Sequence, residues 1–192
     1  MLRKQLKIGP EEILIVASAG GGNVGAPLLA AVMRAFFCLE VKSRCHLEVF
    51  TGPFLDQNDF DRLKKSAGNN VQVTRFTTDF LSYLAAADLS VSMGGYNTLS
   101  EVVSQGTLSL VIPRETPRTE QLIRAKAFKK QGLIDYIPWN DFAAPLLRTK
   151  IEHLLANPER YYDALAGFRF TGIDSMRRRI QAFRSKVNVV AC

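Results

Sequence analysis

Short apolar runs alternate with longer stretches of helical spacing along nearly the whole chain. Glu12–Ser18, His46–Thr51, Val71–Phe76, Leu89–Met93, Leu108–Pro113 and Leu133–Ile137 each have the length and composition of one buried strand. Between them, Pro27–Phe37, Asp56–Lys65 and the segments opened by Thr77, Gly95 and Thr119 carry apolar residues at helical spacing. Asp56–Lys65 is predicted as a surface helix with Phe60 and Leu63 facing inward, and Thr77-Thr78-Asp79 as the cap of the next helix. Helices are also predicted over Phe142–Ala156, from Pro158, and over Asp174–Lys186. Strands and helices in strict alternation predict an α/β fold: a doubly wound (Rossmann-like) parallel sheet of about six strands with helices on both faces. Such sheets hold their ligands beyond the carboxyl ends of the strands.

Three loops fall at those ends, Gly20–Gly25, Met93–Tyr96 and Arg114–Gln121. In the second, an apolar strand stops at Gly94-Gly95 and a helix begins, with Leu99, Val102 and Val103 on its inner face. Free N–H groups and the dipole at such a helix start suit a phosphate, and glycine lets a ligand come close to the backbone. Glu101, about one turn further on, can reach past a phosphate to sugar hydroxyls. The plainer alternative is an ordinary strand–helix turn capped by Asn97 or Thr98. In the first loop Gly20, Gly22 and Gly25 satisfy G-x-G-x-x-G, which raises a dinucleotide site. That motif usually has an acid at the end of the second strand to hold a ribose; this strand ends in Thr51-Gly52-Pro53, which weakens the dinucleotide reading. A tight turn with a purely structural role remains the other reading of the loop. Asp59-Phe60-Asp61 has the D-x-D pattern of some metal sites, but it lies in a helical segment and reads as solvated helix charge.

The turn around Gly94, Gly95, Asn97, Thr98 and Glu101, the strand to Pro113, and the helix start with Gln121 and Ala125 together resemble one known family. They are similar to the donor-binding half of GT-B glycosyltransferases in the family of the bacterial peptidoglycan N-acetylglucosaminyltransferase, the glycosyltransferase family 28 C-terminal domain. The strong part of the likeness runs from about residue 71 to 135, with weaker agreement back to Ile13. The resemblance implies one half of a GT-B fold, with donor-nucleotide contacts at Gly21, Gly22, Phe76, Thr77, Gly94, Gly95, Asn97, Thr98 and Glu101. Phe76 and Thr77 match the positions that hold the uracil ring, although Phe76 also reads as core. Glu120 and Gln121 match the pair that binds the transferred sugar. The chain departs from the family pattern at Glu120, at Thr107 and at Arg124, which replaces a neutral amide and is expected to add a positive charge near the bound phosphates or the sugar. A UDP-sugar donor, inverting transfer and a site without metal or other cofactor follow from the same resemblance. So does an acceptor half, as a missing N-terminal domain or a separate subunit; few residues here suit a general base at the cleft, and none is assigned.

Composition narrows the field further. The 192 residues are 47% apolar and 22% charged, as expected of one folded domain over residues 1–192 with a basic helical tail from about residue 158. No run approaches the ~20 apolar residues of a membrane span, and no secretory signal is read before Gly9-Pro10. Cys38, Cys45 and Cys192 form no C-x-x-C pair and favour a reducing, cytoplasmic setting; His46 and His153 alone offer little to a zinc ion. Of the net charge of +7, most lies after Leu165, at Arg169, Arg177, Arg178, Arg179, Arg184 and Lys186. That run suits a solvated or interdomain face or a peripheral membrane contact; without an aromatic platform it argues against nucleic acid. Two further functions stay open: a non-catalytic nucleotide-sugar binding subunit and a dinucleotide-dependent oxidoreductase.

Overall fold

The computed structural model describes residues 2–22, 24–117 and 119–189. Cys192 lies outside them, as do Asn23 and Arg118 within the first and third loops. Strands β1 (Ile13–Ser18), β2 (Cys45–Phe50), β3 (Val71–Thr74), β4 (Leu89–Met93), β5 (Ser109–Ile112) and β6 (Asp135–Tyr136) form one sheet, in the order β3-β2-β1-β4-β5-β6. Every pairing is parallel. The helices are α1 (Leu2–Gln5), α2 (Ala26–Phe37), α3 (Gln57–Lys65), α4 (Phe80–Ala86), α5 (Tyr96–Ser104), α6 (Glu120–Lys130), α7 (Ala144–Ala156), α8 (Glu159–Gly167) and α9 (Gly172–Val189). From β1 the chain steps outward one way to β2 and β3, then returns to place β4 on the other side. The order therefore reverses between β1 and β4, which opens a crevice at their carboxyl ends.

Strand alternation builds a core on each face. Ile15, Ala17, Leu47 and Val49 point into the larger core with Leu28, Leu29 and Val32 of α2 and Leu147 and Ile151 of α7. Leu14, Val16 and Phe50 point the other way, onto Ile8, Leu84 of α4 and Val102 of α5. Glu48 shares that second face and is almost fully buried; desolvation pushes its carboxyl up to about 7.

Local boundaries differ from the sequence expectations in four places. β3 ends at Thr74, and Phe76 is 60% exposed, so it is no core residue. Asp79 of the expected Thr77–Asp79 cap is the N-cap position of α4 but makes no side-chain cap bond; the Thr77 hydroxyl accepts from the Asp79 N–H at 3.1 Å in the approach to the helix. Gly95 is the N-cap position of α5, and no side chain caps it, because Asn97 and Thr98 already lie in the first turn. β6 keeps only two paired residues of the expected five, as suits the last strand of the sheet.

A fifth difference closes the amino end of the sheet. The basic N-terminal segment forms α1 and places Arg3 under the starts of β1 and β4. Its guanidinium donates to the carbonyls of Ala86 (3.0 Å), Gly9 (3.1 Å) and Glu12 and to Asp88 Oδ2 (2.9 Å). The same Asp88 oxygen accepts from the Leu14 N–H at 2.7 Å.

Candidate functional site

The carboxyl end of the sheet is built differently. Two adjoining cavities, of about 340 and 180 Å³, open there and share Gly20 and Thr98 as a common wall. The larger lies between the loop after β1, the start of α5 and the segment after β5. Gly21, Gly22, Gly95, Tyr96, Asn97, Thr98, Arg114 and Gln121 are among the residues that line it. The smaller is more apolar, walled by Phe50, Pro53, Phe76 and Phe80, with Thr77 and Glu101 at polar positions.

The glycines divide their work. A Cβ added at Gly21 or Gly22 would meet nothing within 4 Å, so both leave open space on the cavity side. At Gly25 an added Cβ would sit 2.0 Å from the Ala19 Cβ, and at Gly52 it would sit 2.0 Å from the Gly20 carbonyl oxygen. Gly52 also has φ +85°, where side chains are strained. Gly52 lets the loops after β1 and β2 fold against each other, and Gly25 lets the loop after β1 close on its own start. Gly94 serves packing as well: an added Cβ would press on Gln121 Cβ at 3.2 Å and Pro113 Cβ at 3.3 Å. It does not line either cavity, and its carbonyl accepts from Arg124 Nη1 at 2.9 Å.

The polar groups follow from the same geometry. α5 starts without a side-chain cap, so its first-turn N–H groups meet no capping side chain, and its positive dipole end faces the larger cavity. Gln121, one residue into α6, lines that cavity while its Oε1 accepts from the Arg114 N–H at 3.0 Å. Glu120 is exposed and lines neither cavity. Arg124, expected to add charge near a ligand, is held by the Gly94 carbonyl and lies 5.4 Å from the centre of the Tyr96 ring. Sequence reasoning gave no role to Arg114 or Tyr96. The signal for both was their place, next to Pro113 and Gly95 at strand ends.

Other candidates fall away from the cleft. Asp59 and Asp61 lie within α3, paired with Arg62 and Gln57, and line neither cavity. Neither histidine lines it: His46 meets Glu12 at 3.0 Å, and His153 is near Asn157. No group of three His, Cys, Asp or Glu side chains among the described residues could hold a metal ion. The strand β2 leads into buried Thr51 and then Gly52, with no acid for a dinucleotide ribose. No helix among the described residues is long and apolar enough to cross a membrane.

Comparison with known proteins agrees with this architecture. A UDP-N-acetylglucosamine–N-acetylmuramyl-(pentapeptide) pyrophosphoryl-undecaprenol N-acetylglucosamine transferase of Rubrobacter xylanophilus is 24% identical over 161 residues, covering 82% of this chain and 44% of that protein. An uncharacterized glycosyltransferase of Methanosarcina mazei is 30% identical over 118 residues, 62% of this chain and 29% of its own length. The chain thus spans less than half of either relative. The crystal structure of Acinetobacter baumannii MurG shares the fold, with a TM-score of 0.73 at 19% identity over 93% of this chain and 52% of that one. Residues 16–174 match the glycosyltransferase family 28 C-terminal domain, and the chain belongs to that family of glycosyltransferase domains.

Proposed function

We propose that residues 1–192 are the donor-binding domain of an inverting GT-B glycosyltransferase, with a basic helical tail from about residue 158, and that the donor is a UDP-sugar. One observation carries this reading: the two joined chambers meet at Thr98, with an uncapped helix start in one and Glu101 in the other. The uracil ring enters the smaller chamber beside Phe76 and Thr77, and Glu101 accepts from the ribose hydroxyls. The diphosphate crosses Thr98 to the amides of Tyr96, Asn97 and Thr98, and Gly21 and Gly22 give it room. The sugar lies toward Gln121; Glu120, pointing to solvent, reaches it only on closure of the cleft. The acceptor and the catalytic base come from an acceptor half, covalent or separate. The exposed Ile173, Met176 and Ile180 of α9, set among arginines, support a tail that packs on that half or on an anionic membrane.

Calorimetry tests the donor site directly. The chain should bind UDP and not NAD, and Glu101→Ala should weaken UDP by ~1–3 kcal/mol, the range for a hydrogen bond to a charged group, with an unchanged melting temperature. Equal UDP affinity in the two proteins would reduce Glu101 to a helix charge. Sugar transfer on adding the acceptor half separates an enzyme from a binding subunit, since no histidine lines the cleft to act as base.

A further inference from the structure

We propose that Arg114 is the cation that neutralises the donor diphosphate; this rests on the donor-site reading above and assigns it a residue. Among the described residues, Arg114 is the one cationic side chain that lines the larger cavity. Two other arginines near the cleft, among the described residues, are already used. Arg124 donates to the Gly94 carbonyl and lies over Tyr96, and Arg75 donates to Leu55 and Gln57 and stacks 4.3 Å over Phe60.

Arg114 differs in how its two ends are treated. Its backbone is fixed, because its N–H donates to Gln121 Oε1 at 3.0 Å and it follows Pro113, which packs close to Gly94. Its guanidinium makes no hydrogen bond, ion pair or ring contact among the described residues, although the residue is partly buried. An anchored root with an unused head costs little to order around a ligand. The planar fork of a guanidinium matches two phosphate oxygens, and its charge persists at any working pH.

Charge arithmetic says why such a group is needed. The start of α5 offers the equivalent of about half a positive charge, spread over its first-turn amides. A nucleoside diphosphate brings at least two negative charges into the same cavity, and more charge develops on the leaving diphosphate as the sugar departs. One full positive charge at Arg114 supplies most of that difference, in the same cavity as the helix start. An anionic sugar is the other ligand that could meet Arg114, and the two are separable because uridine, UDP and UDP-sugars add the charged groups stepwise.

The experiment measures uridine, UDP, UDP-N-acetylglucosamine and UDP-glucuronic acid binding to the full chain, at low and high salt. Arg114→Gln and Arg114→Lys are compared with the parent, and thermal melts confirm equal folding. Arg114→Gln should bind UDP about ten- to a hundredfold more weakly, the effect of losing a charged hydrogen-bonding partner. It should leave uridine unchanged and flatten the salt dependence of UDP binding, while Arg114→Lys falls between. The proposal is overturned if Arg114→Gln holds UDP as tightly as the parent, or if it loses uridine and UDP equally. It is also overturned if the loss occurs only with UDP-glucuronic acid, which would move the contact to the sugar. A parent that binds neither uridine nor UDP would overturn the donor-site reading itself. A parent that binds both, with a silent Arg114→Gln, leaves that reading standing and removes Arg114 alone.

Discussion

Arg3 and Arg114 stand at opposite ends of one sheet and are treated in opposite ways. Arg3 lies where β1 and β4 begin, and its donors are taken up by three carbonyls and Asp88, tying α1 and the loops before both strands together. Arg114 lies where β5 ends, and its guanidinium has no protein partner among the described residues. The amino end thus spends its polar groups on itself, whereas the carboxyl end leaves cationic and amide groups unanswered. A buried or half-buried donor without a partner is costly, and a fold retains one where a ligand completes it. The comparison teaches that the polar side chains of the closed end are spent on holding elements together, while some at the open end are left unpartnered.

The largest expected effect would come from Gly52, which tests whether the open end is all recognition. Gly52→Ala forces a Cβ to 2.0 Å from the Gly20 carbonyl at a positive φ, and it should cost about 3 kcal/mol of stability, read from denaturant unfolding. A variant as stable as the parent would mean that the two loops are free to separate. Arg3→Ala is next. It leaves Asp88 and three carbonyls short of a donor, and because Arg3 and Asp88 are partly exposed the loss should be about 1–2 kcal/mol. UDP affinity should not change; a fall in affinity would erase the division between the two ends. The smallest effect belongs to Gln121→Ala, which should weaken a UDP-sugar by ~1 kcal/mol, a typical net hydrogen bond, and spare UDP. Equal losses for both ligands would show that Gln121 acts through its bond to the Arg114 N–H rather than through the sugar.

Much of this was legible in the residues. Continuous apolar runs such as Ile13–Ala17 bury both faces of a strand, and only a sheet covered on both sides accommodates them. The alternation with helices then gave the doubly wound fold, and the turn from Gly94 to Glu101 gave the family. These features are local: strand and helix periodicity, glycine positions and strand ends are set by neighbouring residues. Partnership is not local. That Arg3 reaches Asp88, 85 positions away, or that Gln121 accepts from the Arg114 N–H, depends on which elements the sheet order brings together. Gly94 and Arg124 were read as facing a ligand, yet the packing of α6 against the turn uses both of them. The sequence by itself determined the layers, the edge where the cavities open and the residue types at that edge. Only the tertiary structure decided which of those charges are consumed within the protein and which stay free for a ligand, because a charge is satisfied by whatever lies within a few ångströms of it, whatever its distance along the chain.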